Sequence, residues 1–134
     1  MDKNIKKFVE VALKIIGEEN ILSIILFGSR ARGDYDKWSD YDFFLITNER
    51  MPEELEFKIL YELDFPANII SRTPFEIKKA IELLNSLEIY AIFDGNVIYG
   101  KDIEEYKNLI KEMIKEKKIK MRSELGKGVL ELGT

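Results

Sequence analysis

Histidine and cysteine are both absent from the 134 residues. Their absence excludes imidazole general bases, Ser-His-Asp and Cys-His nucleophilic sites, ordinary zinc sites and disulfides. Any catalysis is left to carboxylates, Ser, Tyr, Lys, Arg and backbone N–H groups, with a hard, oxygen-bound cation such as magnesium as the fitting metal. No run approaches the ~18 apolar residues that span a membrane, and no signal-type apolar stretch opens the chain. The expectation is therefore a soluble, cytoplasmic protein. Positive charge is not in excess either: Lys+Arg 21 against Asp+Glu 25 leaves −4, which argues against a general binder of nucleic acid. What is present is 46% hydrophobic residues over the length of roughly one domain.

Ile5, Phe8, Val9, Ala12, Leu13 and Ile16 form one helical stripe that Gly17 closes. The short apolar runs Ile21 to Phe27 and Tyr41 to Ile46 read as buried strands. Between them, polar GSRARGDYDKWS predicts a short helix from Ser29 followed by a loop to Ser39. A helix over 52–63, a strand over 67–71 and a helix from Pro74 to about Leu84 follow, the last capped by Thr73 with Glu76 at its third position. A short helix over 87–93 and a short edge strand at Val97 to Tyr99 come next, joined by the turn Asp94-Gly95-Asn96. Asp102 is expected to cap a final helix of about 18 residues with Ile103, Tyr106, Ile110 and Met113 on one face; Lys115, Lys117, Lys118, Lys120 and Arg122 would crowd its end. The closing GKGVLELGT reads as frayed or partner-dependent. The whole predicts a layered α/β (α+β) domain, a single mixed sheet with helices packed on it. Its core spans 1–100, and 101–134 form a helix and tail of the same domain.

The informative segment is Leu26 to Ile46, LFGSRARGDYDKWSDYDFFLI. A buried strand that runs into Gly28-Ser29 at a helix start offers backbone N–H groups and a hydroxyl to an anion, and glycine permits close approach. Asp40 and Asp42 stand one residue apart at the head of the next strand, so both carboxylates emerge on one face of the sheet. Two such charges repel unless a divalent cation sits against them. Phosphate cradle and metal together are what phosphoryl or nucleotidyl transfer requires. Taken singly, each feature has a bland counterpart: a generic turn, a strand-end aspartate, a surface pair. Arg30 is expected to be solvent-exposed, and Trp38 to anchor the loop rather than stack on a base.

Gly28-Ser29-Arg30-Ala31-Arg32-Gly33 followed by Ser39-Asp40-Tyr41-Asp42 resembles the GSxxRG and SDxD signature of the DNA polymerase beta-like nucleotidyltransferase superfamily, particularly its minimal members. The resemblance is strong over 22–46 and looser over 1–100. It implies the nucleotidyltransferase fold, with Gly28 and Ser29 on the phosphates of ATP or another nucleoside triphosphate, Arg32 supporting them or bracing the loop, and Ser39 of the second motif also binding the nucleotide. It also implies Mg2+ on Asp40 and Asp42. A third carboxylate on a later strand belongs to the family pattern; here that position falls on Asn68 or, in another register, on Asp64. Asparagine can ligate through its amide oxygen but cannot act as a base. Small members of the family often pair with a HEPN-type helical partner. The resemblance thus implies either AMP transfer to a hydroxyl of a partner protein or small acceptor, or a weakened, antitoxin-like module that masks such a partner. A partner or a second copy of the chain is expected to complete the site.

Overall fold

The computed structural model describes residues 2–116 in full and the backbone of 119–124 and 127–132. Asp2 caps α1 (Lys3–Ile16), its carboxylate accepting the Asn4 and Ile5 N–H groups. A 3-10 turn (Glu18–Asn20) leads into β1 (Ile21–Phe27). The one-turn α2 (Ser29–Arg32) and a loop connect to β2 (Tyr41–Thr47). Then come α3 (Glu53–Glu62), β3 (Ala67–Arg72), α4 (Pro74–Glu82), α5 (Ser86–Asp94), β4 (Asn96–Gly100) and α6 (Glu104–Lys115). Thr73 and Glu76 form the expected capping box, with Pro74 in the first turn.

The sheet order is β3-β2-β1-β4. β1 is antiparallel to both neighbours and β2 is parallel to β3, so the sheet is mixed. Strand periodicity divides the core between its two faces. Ile24, Leu26, Phe43 and Leu45 pack with Phe8 and Val11 of α1 and Ile59 of α3. Ile25, Phe27, Phe44 and Ile46 pack with Ile77 of α4, Ile89 and Ile92 of α5, and Ile110 of α6. Both central strands are therefore buried on both sides, which explains their unbroken apolar runs.

β3 is an edge strand. Tyr41 N–H donates to Pro66 C=O at 3.1 Å, and with Tyr41 opposite Ala67 the parallel ladder then turns the backbones of Asn68, Ile70 and Arg72 toward β2. Those of Ala67, Ile69 and Ser71 face outward. In keeping with this, the Ser71 carbonyl accepts from Arg72 Nη1 at 2.8 Å rather than from a strand.

The C-terminal expectation needs correction. The last helix has 12 residues, not about 18, and its N-cap is Ile103; Asp102 serves through Oδ1, which accepts the Glu104 N–H at 3.1 Å. Lys120 and Arg122 lie on β5 (Ile119–Glu124), which pairs antiparallel with β6 (Lys127–Leu132) in place of a frayed tail. Lys117 and Lys118 lie outside the described residues. The difference has a physical origin: lysine-rich sequence suits a helix C-terminus and a β-ribbon alike.

Candidate functional site

Asp40 stands just before β2 and Asp42 within it, on the face that also carries Phe44, and Asn68 on β3 is the register partner of Asp42. The Asn68 Nδ2 donates to Asp42 Oδ1 at 2.9 Å and to Asp40 Oδ2 at 3.3 Å. Two carboxylate oxygens on different residues thus converge on one amide nitrogen, a place that a cation would suit. Asp64 lies in the bend between α3 and β3, outside any strand. Among the described residues, no group of three or more His, Cys, Asp or Glu side chains comes together. The donor set is two carboxylates with an amide that can present its oxygen by turning end over end. Hard oxygen donors of this kind fit magnesium.

Gly28 closes the site from β1. Its φ of 73° and ψ of −159° fall in a region that is essentially glycine's alone. A Cβ there would drive into Asp42 Oδ2 and sit 3.1 Å from Asp42 Cγ, so the glycine makes room for a carboxylate as well as for backbone approach. Ala31 and Arg32 N–H both donate to the Gly28 carbonyl at 3.1 Å. The N–H groups of Ser29 and Arg30, ahead of them in the turn, stay outside the helical ladder.

Arg30 is not the exposed residue expected, whereas Arg32 braces the loop, one of the two roles expected of it. Arg30 is half-buried, with its guanidinium 4.2 Å from the Tyr35 ring centroid and 4.3 Å from that of Tyr41. From there Nη2 and Nε donate to the Ser39 carbonyl at 3.1 and 3.3 Å, which ties down the residue before Asp40. Sequence reasoning missed this clamp because its members lie 5 to 11 positions apart along a loop with no periodicity. Arg32 donates to the Tyr90 hydroxyl, to Asp94 Oδ2 at 3.2 Å and to Asp34 Oδ2 at 3.3 Å, so it braces the loop against α5. Burial disfavours its charge, but Asp34 and Asp94 more than offset that and raise its pKa. The Ser39 hydroxyl accepts from Asp36 N–H at 3.1 Å and shapes the turn. Trp38 is 77% exposed with Lys37 Nζ 5.0 Å from its ring, and does not anchor the loop. Tyr41 points to the opposite face, where its hydroxyl donates to Asp2 Oδ2 at 2.9 Å; burial first, and then Asp2, push the phenol pKa up.

A four-stranded mixed sheet with paired aspartates at the head of one strand, facing a glycine turn from its neighbour, defines a nucleotidyltransferase fold. The chain belongs to the nucleotidyltransferase domain family, whose model matches residues 5–128 and so runs beyond the stretch where the resemblance was legible. A relative from Methanocaldococcus jannaschii that carries the provisional name protein adenylyltransferase MJ0141 is 32% identical over 97 residues, 67% of this chain and 91% of that protein. The fold is shared with a chain of a toxin-antitoxin structure with AMP-PNP, at a TM-score of 0.57 and 19% identity over 84% of this chain and 86% of that one. It is shared too with a chain of the tri-AMPylated Shewanella oneidensis HEPN toxin in complex with MNT antitoxin (TM-score 0.52, 17% identity, 84% and 82% covered). Spectinomycin adenyltransferase AAD(9) from Enterococcus faecialis, with ATP and spectinomycin, gives a TM-score of 0.56 and 15% identity over 85% of this chain and 66% of that one. No helix among the described residues is long and apolar enough to cross a membrane.

Proposed function

We propose that this chain transfers AMP from ATP to a hydroxyl of a partner protein or small acceptor, and that the reaction depends on magnesium. The observation that carries this is the convergence of Asp40 and Asp42 on Asn68 beside Gly28. In the transfer, a bond forms between the acceptor oxygen and the α-phosphorus, the bond from that phosphorus to the bridging oxygen breaks, and pyrophosphate leaves. Magnesium held by Asp40, Asp42 and the Asn68 amide oxygen would neutralise the triphosphate and the charge that develops on it. Gly28 and the N–H groups of Ser29 and Arg30 would cradle its outer phosphates, while Arg30, through Ser39, keeps Asp40 in place. With no carboxylate at Asn68, the acceptor proton passes to solvent.

That same asparagine favours a second reading, an antitoxin-like module that masks a HEPN-type helical partner with little or no transfer. Thermal shift and label separate the two. ATP should raise the melting temperature with magnesium and much less with EDTA, and Asp40→Asn with Asp42→Asn should abolish the rise; a rise that survives in the double variant refutes the metal assignment. With α-labelled ATP, label on the partner or AMP released to water supports transfer. If neither forms, the masking module is the function.

A further inference from the structure

We propose that the outer edge of β3 is a docking edge for an extended segment of the acceptor protein that carries a lysine or arginine, an inference that rests on the proposed transfer. Ala67, Ile69 and Ser71 turn their backbone groups outward, and beyond them a cavity of about 570 Å³ runs along Ile69 to Arg72. The start of α3 walls it on one side and Glu76 of α4 on the other. Such an edge is ordinarily blunted by a bulge, a proline or charged side chains within the strand, and β3 has a single charged residue, Arg72, at its far end. β4 at the opposite edge has a register shift where it pairs with β1, whereas β3 pairs with β2 without irregularity and reads ANIISR.

The outward carbonyl nearest the far end, Ser71 C=O, is covered by Arg72 Nη1. Arg72 has a second place to go. Glu88 is buried, its Oε1 lies 3.8 Å from Arg72 Nη2, and its Oε2 has no hydrogen-bond partner among the described residues. A strand that takes over the Ser71 carbonyl would release the guanidinium to close on Glu88, so docking would settle a buried carboxylate that is otherwise poorly satisfied.

Charge selects the occupant. Of the charged groups that line the cavity, Glu76 is held by the Thr73 N–H and Arg72 by Ser71, which leaves Arg50 against Glu53 and Glu56. Burial, with Glu53 beside it, raises the Glu56 pKa, the mark of a carboxylate short of a cation. At ~3.3 Å per residue and ~4.8 Å per strand, four docked residues would reach from beside Arg72 to Asn68, where a long side chain of the segment, such as tyrosine, would extend across β3 toward Asp40 and Asp42 and bring its hydroxyl near them.

The probe is a blocked hexapeptide of alternating valine and threonine, with lysine at one end and tyrosine at the other, and its twin N-methylated at alternate amides. The plain peptide should slow hydrogen exchange at the Ile69 and Ser71 amides, and the N-methylated one should bind at least tenfold more weakly. Ser71→Pro removes an outward N–H but no bond to β2, and should weaken the plain peptide to a similar degree. Docking of the plain peptide on the wild-type protein, with no AMP transferred to its tyrosine from ATP and magnesium, would defeat the proposed reaction while leaving the edge intact. Equal affinity for the two peptides, or no added protection at Ile69 and Ser71, overturns the docking edge. So does a dimer of this chain whose β3 amides are protected before any peptide is added, since the edge then belongs to a second copy.

Discussion

Asn68 and Gly28 carry the clearest consequences for single substitutions. The Asn68 amide satisfies two carboxylates at once, so Asn68→Asp removes both hydrogen bonds and adds a third negative charge. Without magnesium the variant should melt lower than wild type; with magnesium the difference should shrink, since a cation answers the repulsion. A positioned base is typically worth ~10²–10⁴-fold, so the same change should speed AMP transfer while ATP affinity stays nearly constant. An unaltered rate would refute the assignment of this position. Gly28→Ala combines a backbone cost of about 1–3 kcal/mol with a clash on Asp42. It should lower the melting temperature and lose magnesium-dependent ATP binding together, as differential scanning fluorimetry with and without ATP would show. A variant that folds and binds as wild type does would remove Gly28 from the site.

Among the elements, the loop between α2 and β2 is organised by Arg30 rather than by Trp38. Arg30→Ala should release Ser39 and with it Asp40, raising the magnesium concentration needed for half-maximal ATP-induced stabilisation. Arg30→Lys, which lacks the planar fork that stacks and donates together, should recover little of it. Equal magnesium titrations for all three proteins would reduce Arg30 to a surface residue. The regular elements were legible beforehand because each carried its own period, cap or glycine: the stripe of α1, the capping box of α4 and the apolar runs of β1 and β2. The Asp40–Asp42 pair was legible for the same reason, being set by alternation at the head of one strand, and the resemblance brought Asn68 to the same place with Asp64 as its alternative. The Arg30 clamp and the β5–β6 ribbon were not legible. The first joins residues that only tertiary structure brings together, and the second sits in lysine-rich sequence whose pattern suits two kinds of element.

At the scale of the whole molecule, two cores share one sheet. Phe43 and Phe44 are neighbours in β2, yet the first is buried against α1 and α3 and the second against α4, α5 and α6. Replacing either by alanine should cost about 3–5 kcal/mol, and because the sheet is common to both, each variant should unfold in a single transition. Two separable transitions by circular dichroism would mean that the faces are independent units.

β1 lies at the middle of this sheet, and its two neighbours become available far apart in time. β2 follows within a loop's length, but β4 and the α6 face that covers the second core come much later; the bond from Ser23 Oγ to the Lys101 carbonyl, 2.6 Å long, spans 78 positions. At a synthesis rate of about 5–20 residues per second, a ribosome holds the chain for several seconds with β1 paired on one side only and Ile25, Phe27, Phe44 and Ile46 uncovered. Over that interval one apolar face of the sheet stays open to solvent, and the helix that closes it, α6, is the last among the described residues.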